Sequence, residues 1–319
     1  MNNSTAGLVC RKSVASKLYN SIIWIAVVSV FCISIHFGEE IHDSVVHSFR
    51  ICTTAIIPSV FPYMILCDFI SRMKSDGGPI SRIISKIYGI HPIGSRAVLL
   101  GNVFGFPIGA RSAVSLYNQG TIDKKECARI AGLSTNPSLA FVVFVTGATM
   151  RGSIAEGYIL YFSTICSSLL AALITRNIND KYDNSAFIQG QKFNVIASIQ
   201  SAATACITLI ACVTLFSCTI TLCDVAIKNI VLTAAVSMLL EIGNATATIS
   251  ALALPGAISL AITAAALGFS GISVHMQIES VLPPEIPRAI YYRLKLIEAL
   301  LSGIIAYLFY TVCQALSII

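Results

Sequence analysis

The feature that most narrows what this chain can become is its series of long apolar runs. Crossing a bilayer as a helix takes about 20 apolar residues, because no water is present to satisfy an open backbone. Runs of that kind occupy 18–37, 51–70, 133–150, 158–175, 195–222, 251–271 and 296–318. Composition agrees: 55% of the 319 residues are hydrophobic, only 11% are charged, and the mean hydropathy is +0.80. A soluble domain carries roughly 25% charged residues, so too little charge is left here to cover a water-exposed surface. Soluble globular, disordered, collagen-like and coiled-coil folds are excluded. An all-α polytopic membrane protein is expected.

Two further apolar stretches, 97–114 and 229–250, are interrupted by glycine and small polar residues. Each reads as a re-entrant hairpin, two half-helices that enter and leave on the same side. Charge supports that choice. With the N-terminus inside and both hairpins re-entrant, 18 of the 21 Lys and Arg fall in the cytoplasmic segments 1–17, 71–96, 110–132, 176–194 and 272–295. Only Arg50, Arg151 and Lys228 lie outside. The positive-inside rule therefore favours about seven transmembrane helices plus two re-entrant hairpins. Residues 18–37, behind Arg11, Lys12 and Lys17, read as a signal anchor. Pro58 and Pro62 should kink 51–70.

Without the first run, the order span, hairpin, span, span occurs twice, in opposite orientations. Gly101-Asn102 and Gly243-Asn244 fall at corresponding breaks, with Pro107 and Pro255 following. An inverted repeat with interrupted helices is the architecture of secondary transporters, whose site lies near the midplane. A membrane scaffold that keeps the fold and moves nothing is the alternative.

The breaks supply the candidate site. Asn102, Gly105, Pro107, Gly109 and Arg111 belong to the first. The glycines permit close backbone approach, and Pro107 suits the start of a new half-helix, whose free N–H groups attract anions. Arg111, one turn on, is either part of an anion site or an interfacial arginine. Ser134, Thr135 and Asn136 before Pro137 form either a simple helix cap or polar lining at the head of a span. In the second copy, Glu241 is the carboxylate well inside the hairpin, beside Asn244 and Thr246. An intramembrane carboxylate is a functional candidate. Glu241 is assigned to a coupling H⁺ or Na⁺, or to an ion pair with a basic group such as Arg111. Ser270 and Gly271 can unwind the next span, with His275 and Gln277 at its mouth.

Other features point away from chemistry. His36, Glu39, Glu40, His42, Asp43 and His47 lack a repeated ligand spacing and read as an outward polar loop. The 11 cysteines form no C-x-x-C pair and read as packing residues, so no metal site is expected. No H-E-x-x-H, G-x-S-x-G or P-loop occurs, and catalysis has no foothold.

The stretch Gly105-Phe106-Pro107-Ile108-Gly109-Ala110-Arg111-Ser112, with Leu116-Tyr117-Asn118-Gln119-Gly120 following, resembles the YlbJ family of sporulation integral membrane proteins. Supporting it in order are Pro58-Ser59-Val60-Phe61-Pro62, Ser134-Thr135-Asn136-Pro137, Leu240-Glu241-Ile242-Gly243 and the run from Gly268 to Gln277. Ser270 is a mild departure where a second glycine is expected. That family has nucleoside-recognition, or Gate, domains similar to those of concentrative nucleoside transporters and part of ferrous-iron transporters. The resemblance implies an anchor helix over 1–40, a first Gate-like repeat over 41–180 and an inverted second repeat over 181–319. It further implies a role in endospore formation, in the membrane around the forespore, and transport of dipicolinic acid, a small planar dianion. A nucleoside or other small-solute carrier and a non-transporting sporulation scaffold are the alternatives. The expected partners are the lipid bilayer and the small-molecule anion substrate. A second copy of the chain or other sporulation membrane proteins are candidates as well. Neither a cofactor nor nucleic acid is expected.

Overall fold

The computed structural model describes residues 24, 28–29, 31–72, 78–176 and 194–317. Among these there is no strand. Helix α1 (Gly38–Ile51) runs through a π-helical turn, Cys52–Ile56, into α2 (Ile57–Arg72). Pro58 has no N–H for the carbonyl one turn back, and Pro62 lies within α2. The axis accordingly bends by 48° between Gly38–Ile56 and Val60–Ile70. The first half continues with α3 (Gly78–Tyr88), α4 (Gly94–Phe104), α5 (Ile108–Asn118), α6 (Lys124–Ser134), a second π-helix (Phe141–Met150) and α7 (Ile154–Ile174). The second half holds α8 (Val195–Ile227), α9 (Ile230–Leu240), α10 (Ile242–Ala251), α11 (Gly256–Phe269), α12 (Gly271–Glu279) and α13 (Arg288–Ala315).

Among the described residues, four helical stretches are long and apolar enough to cross a membrane: Ile154–Ile174, Val195–Ile227, Gly256–Glu279 and Arg288–Ala315. The bent pair Gly38–Ile56 and Val60–Ile70 makes five if counted as one span. Both interrupted stretches are broken, but a few residues from Gly101-Asn102 and Gly243-Asn244, which lie within α4 and α10: α4 and α5 meet across Gly105–Pro107, and α9 and α10 across Glu241. Three further expectations need correction. Residues 133–150 are not one helix, because backbone without regular structure at 135–138 separates α6 from the ten-residue π-helix. The acidic and histidine cluster at 36–47 is no loop; most of it lies on α1, whose first turn carries Glu39 and Glu40. Lys295, counted above in a cytoplasmic segment, is 0% exposed inside the bundle. Most of the anchor run 18–37 lies outside the described residues.

The surface of α13 shows why this fold suits lipid. Tyr291, Lys295, Glu298, Ser302 and Ala306 form its buried stripe, while Leu300, Ile304, Leu308 and Val312 face outward, Leu300 at 72% exposure. Polar inside and apolar outside is the reverse of a water-soluble helix. With several apolar helices of spanning length, it fits an integral membrane protein. Small residues let α13 approach α11 closely: a side chain at Gly268 or Gly303 would strike the facing helix backbone, at Ala299 and Ala261 respectively. Ser302 Oγ adds a 2.8 Å hydrogen bond to the Ala264 carbonyl across this contact. The main apolar core lies where α4–α7 meet α11 and α13, around Ile130, Leu160, Leu260 and Leu294.

Candidate functional site

The turn between α4 and α5 docks onto the break between α6 and the π-helix. A Cβ at Gly101 or Gly109 would run into Ser134, and one at Gly105 would lie 2.6 Å from Ser138 N. Gly105 also has φ +85°, a left-handed conformation open to glycine. Pro107 occupies the N-cap position of α5, directly before its first residue. Gly105 and Gly109 thus serve close packing, and so does Ser134, whose Oγ donates to the Ile130 carbonyl at 2.6 Å. Thr135 Oγ1 likewise donates to the Ala131 carbonyl, at 2.6 Å.

The expected cap at Asn136 belongs instead to Ser138, which accepts from Phe141 N at 3.2 Å. Asn136 is buried and turned the other way, its side-chain amide against that of Asn102. Assigned from its surroundings, its NH₂ group faces Glu298 Oε1 at 2.5 Å and its carbonyl faces Ser168 Oγ at 3.2 Å. Lys295 Nζ donates to the Thr135 carbonyl at 2.7 Å and to Glu298 Oε2 at 2.9 Å. A span that starts at Leu296 leaves Lys295 in the preceding loop, and the sequence expectation assigns no role to Glu298 within it. The i, i+3 and i+4 stripe of polar and small residues from 291 to 306 was the signal that could have revealed the pair.

Two cavities flank this turn. One, of about 410 Å³, is lined by Asp68, Arg111, Ser112, Ser198, Ser201 and neighbours. Here Arg111 donates to Ser201 Oγ, Ser198 donates to Asp68, and the Asp68 charge acts on Arg111. The other, of about 280 Å³, lies between the halves. Phe104, Phe106 and Ser138 come from the first half, and Glu241, Asn244, Ser273 and Gln277 from the second. An apolar cluster separates the two: Met64 and Ile108 face the first cavity, Val60 and Phe104 the second.

Glu241 and Arg111 therefore belong to different cavities and do not pair. Glu241 caps α10 with its own carboxylate, accepting from Gly243 N at 2.9 Å and from Asn244 N at 2.7 Å. A negative group at a helix N-terminus is stabilised by the helix dipole as well as by those bonds. Asn244 Nδ2 donates to Glu241 Oε2 and to Ser217 Oγ, each at 2.8 Å. Thr246 sits one turn on, closed onto the Gly243 carbonyl at 3.0 Å. Among the described residues, both amide atoms of Gln277 and the Ser273 hydroxyl are buried on the wall of this cavity without a protein partner. His275 points away, its Nδ1 2.8 Å from the Tyr291 hydroxyl.

Ser270 ends α11 with φ +73°, and Gly271 follows at +75° against the Leu240 carbonyl. A left-handed residue other than glycine costs about 1–2 kcal/mol, partly offset here by Ser270 Oγ bonding to the Leu267 carbonyl at 3.0 Å. Ser270→Gly should therefore stabilise the protein by at most about 1 kcal/mol, read as a higher melting temperature in detergent.

The candidate residues thus divide among three places. Glu241, Asn244 and Gln277 share the inter-half cavity, Arg111 lines the other, and Asn102 and Asn136 join the buried Lys295–Glu298 pair. Compared with protein-family models, curated proteins and solved structures, the chain has no match.

Proposed function

We propose that this chain is a membrane carrier that moves a small planar organic solute by alternating access, with the inter-half cavity as its binding site. One observation carries the reading: Gln277 and Ser273 leave buried polar atoms unpaired on the wall of a cavity that also holds Glu241. Each such atom costs about 1–3 kcal/mol unless a partner satisfies it. A scaffold has no use for that arrangement, whereas a solute offering donors and acceptors completes it. The rings of Phe104, Phe106, Phe141 and Phe144 on the same wall suit a flat aromatic face.

In this reading α4–α5 and α9–α10 are re-entrant hairpins within about seven spans, and the N-terminus is cytoplasmic. The apolar cluster around Val60, Met64, Phe104 and Ile108 is the barrier that opens and closes between the two cavities. The resemblance noted above makes dipicolinic acid the cargo and the membrane around the forespore the location. Arg111 offers such an anion a basic group in the larger cavity.

Glu241 favours a second reading, a nucleoside or other uncharged solute. A carboxylate beside a dianion repels it. Among the described residues His47 is the only basic side chain on the inter-half cavity wall. Dipicolinate then requires a proton on Glu241 or on the cargo.

Labelled dipicolinate and labelled uridine, each offered to proteoliposomes with the other as competitor, separate these readings. Saturable uptake of one solute is expected. Uridine uptake should fall about tenfold or more in Glu241→Gln as a charge-assisted bond worth about 1.5–3 kcal/mol is lost. Dipicolinate uptake should instead hold or rise once the repelling carboxylate is gone. Folded protein that takes up neither solute would instead support the scaffold.

A further inference from the structure

A fully buried lysine and a fully buried glutamate stand in α13, away from both cavities. Removing two charges from water is costly, and a pair of apolar side chains of similar size would pack as well or better. Their retention in a lipid-facing bundle needs a reason beyond stability. The hydrogen bonds supply one, because they lead to the cavity wall. Glu298 Oε1 accepts from the Asn136 side-chain NH₂, the other end of that amide lies against the Asn102 side chain on α4, and the Asn136 backbone carbonyl accepts from Phe106 N at 2.9 Å. Phe106 lines the inter-half cavity, and Asn102 lies one turn before the hairpin tip.

We propose that Lys295 and Glu298 are the proton-coupling pair of this carrier, linking proton uptake to the position of the first hairpin. The proposal rests on the carrier reading above. The step balances simply: one proton from water joins the Glu298 carboxylate, giving the neutral acid, while Lys295 keeps its charge. Lys295 then loses its anionic partner, and the acid's hydroxyl displaces one acceptor from the Asn136 amide. The Asn136 side chain must rearrange, and with it its contact with the Asn102 side chain of α4, one turn before the break that Phe106 shares with the Asn136 backbone. Release of the proton on the other side restores the pair.

The surrounding groups suit such a step. His275 of α12 meets the Tyr291 hydroxyl at 2.8 Å, one turn before Lys295 on α13. Tyr161 of α7 donates to the Asn102 carbonyl at 3.1 Å. The helix α11 carries no titratable side chain. On α6, Glu126 and Arg129 are engaged with His91 N and the Tyr88 carbonyl.

The test is accumulation in proteoliposomes under an imposed pH gradient, with solute counterflow as the reference, using labelled dipicolinate and labelled uridine. With one proton per solute, a gradient of about one pH unit drives about tenfold accumulation. Wild-type protein should reach that value. Glu298→Gln should bring the ratio of gradient-driven accumulation to counterflow down about tenfold, to simple equilibration, and Glu298→Asp should recover part of it. The double variant Lys295→Met/Glu298→Met, which leaves no lone charge, should behave as Glu298→Gln does and covers the case in which the single variant does not fold. Accumulation at the wild-type level in both variants would overturn the proposal while leaving the carrier intact. So would wild-type protein that exchanges solute but never concentrates it on a proton gradient. Absence of exchange in folded wild-type protein would overturn the carrier reading itself and the coupling with it.

Discussion

Glu298→Ala, with Lys295 left in place, is expected to destabilise the folded protein by about 3–5 kcal/mol. The reason is the lysine that stays behind. Its ammonium is 0% exposed and would retain the Thr135 carbonyl, 2.7 Å away, as its acceptor. Lys295→Ala should cost a similar amount by stranding the carboxylate. The double variant Lys295→Met/Glu298→Met should lie within about 1–2 kcal/mol of wild type, because no lone charge remains and the volumes are similar. Thermal unfolding in one detergent, across the two single variants and the double variant, checks this. Additive losses would mean that the two side chains do not act as a pair.

The second large effect concerns the hairpin tip. Gly101→Ala and Gly109→Ala should each cost about 1–3 kcal/mol by overpacking. Their rescue should differ. A methyl at Gly109 meets the Ser134 Cβ and Oγ and, at 2.8 Å, the Ser134 carbonyl oxygen, so Ser134→Gly should recover the larger part of the loss but not all of it. A methyl at Gly101 meets the Ser134 carbonyl oxygen as well as its Cβ, and the Cα of Gly109 lies 2.9 Å away. Ser134→Gly removes only one of those obstacles, and Gly101→Ala should stay impaired. Equal rescue of both would show that the hairpin docks differently. A hairpin that backs away from 134–138 would also shift Phe104 and Phe106, so solute uptake should fall with stability in the unrescued variant.

Much of the framework was legible in the chain because lipid imposes a simple rule. A segment of about 20 apolar residues has one low-energy option, and its length alone identifies it. The spans at 158–175 and 195–222 correspond to α7 and α8, each a little longer than read. Glycine and proline report backbone directly, which is why Pro107 marks the start of α5, while Gly243 only points near the break that falls at Glu241. The segment 133–150 misled for the complementary reason. Its hydropathy says that it avoids water, but only contacts with Gly101, Gly105 and Gly109 require the chain to straighten at 135–138.

The sequence by itself determined the solvent, the helical class, the stretches within which helices break, and a short set of polar residues between them. Those properties follow from local chemistry: hydropathy, the φ of glycine, the missing N–H of proline. Tertiary structure alone decided how that set is divided. Glu241 and Arg111 look like partners in the chain, yet the hairpins carry them into cavities on opposite sides of an apolar cluster. Lys295 looks like the edge of a cytoplasmic loop, yet the close approach of α11 and α7 encloses it with Glu298. Which polar side chains meet depends on which helix faces can approach, and that is set by residues far apart in the chain.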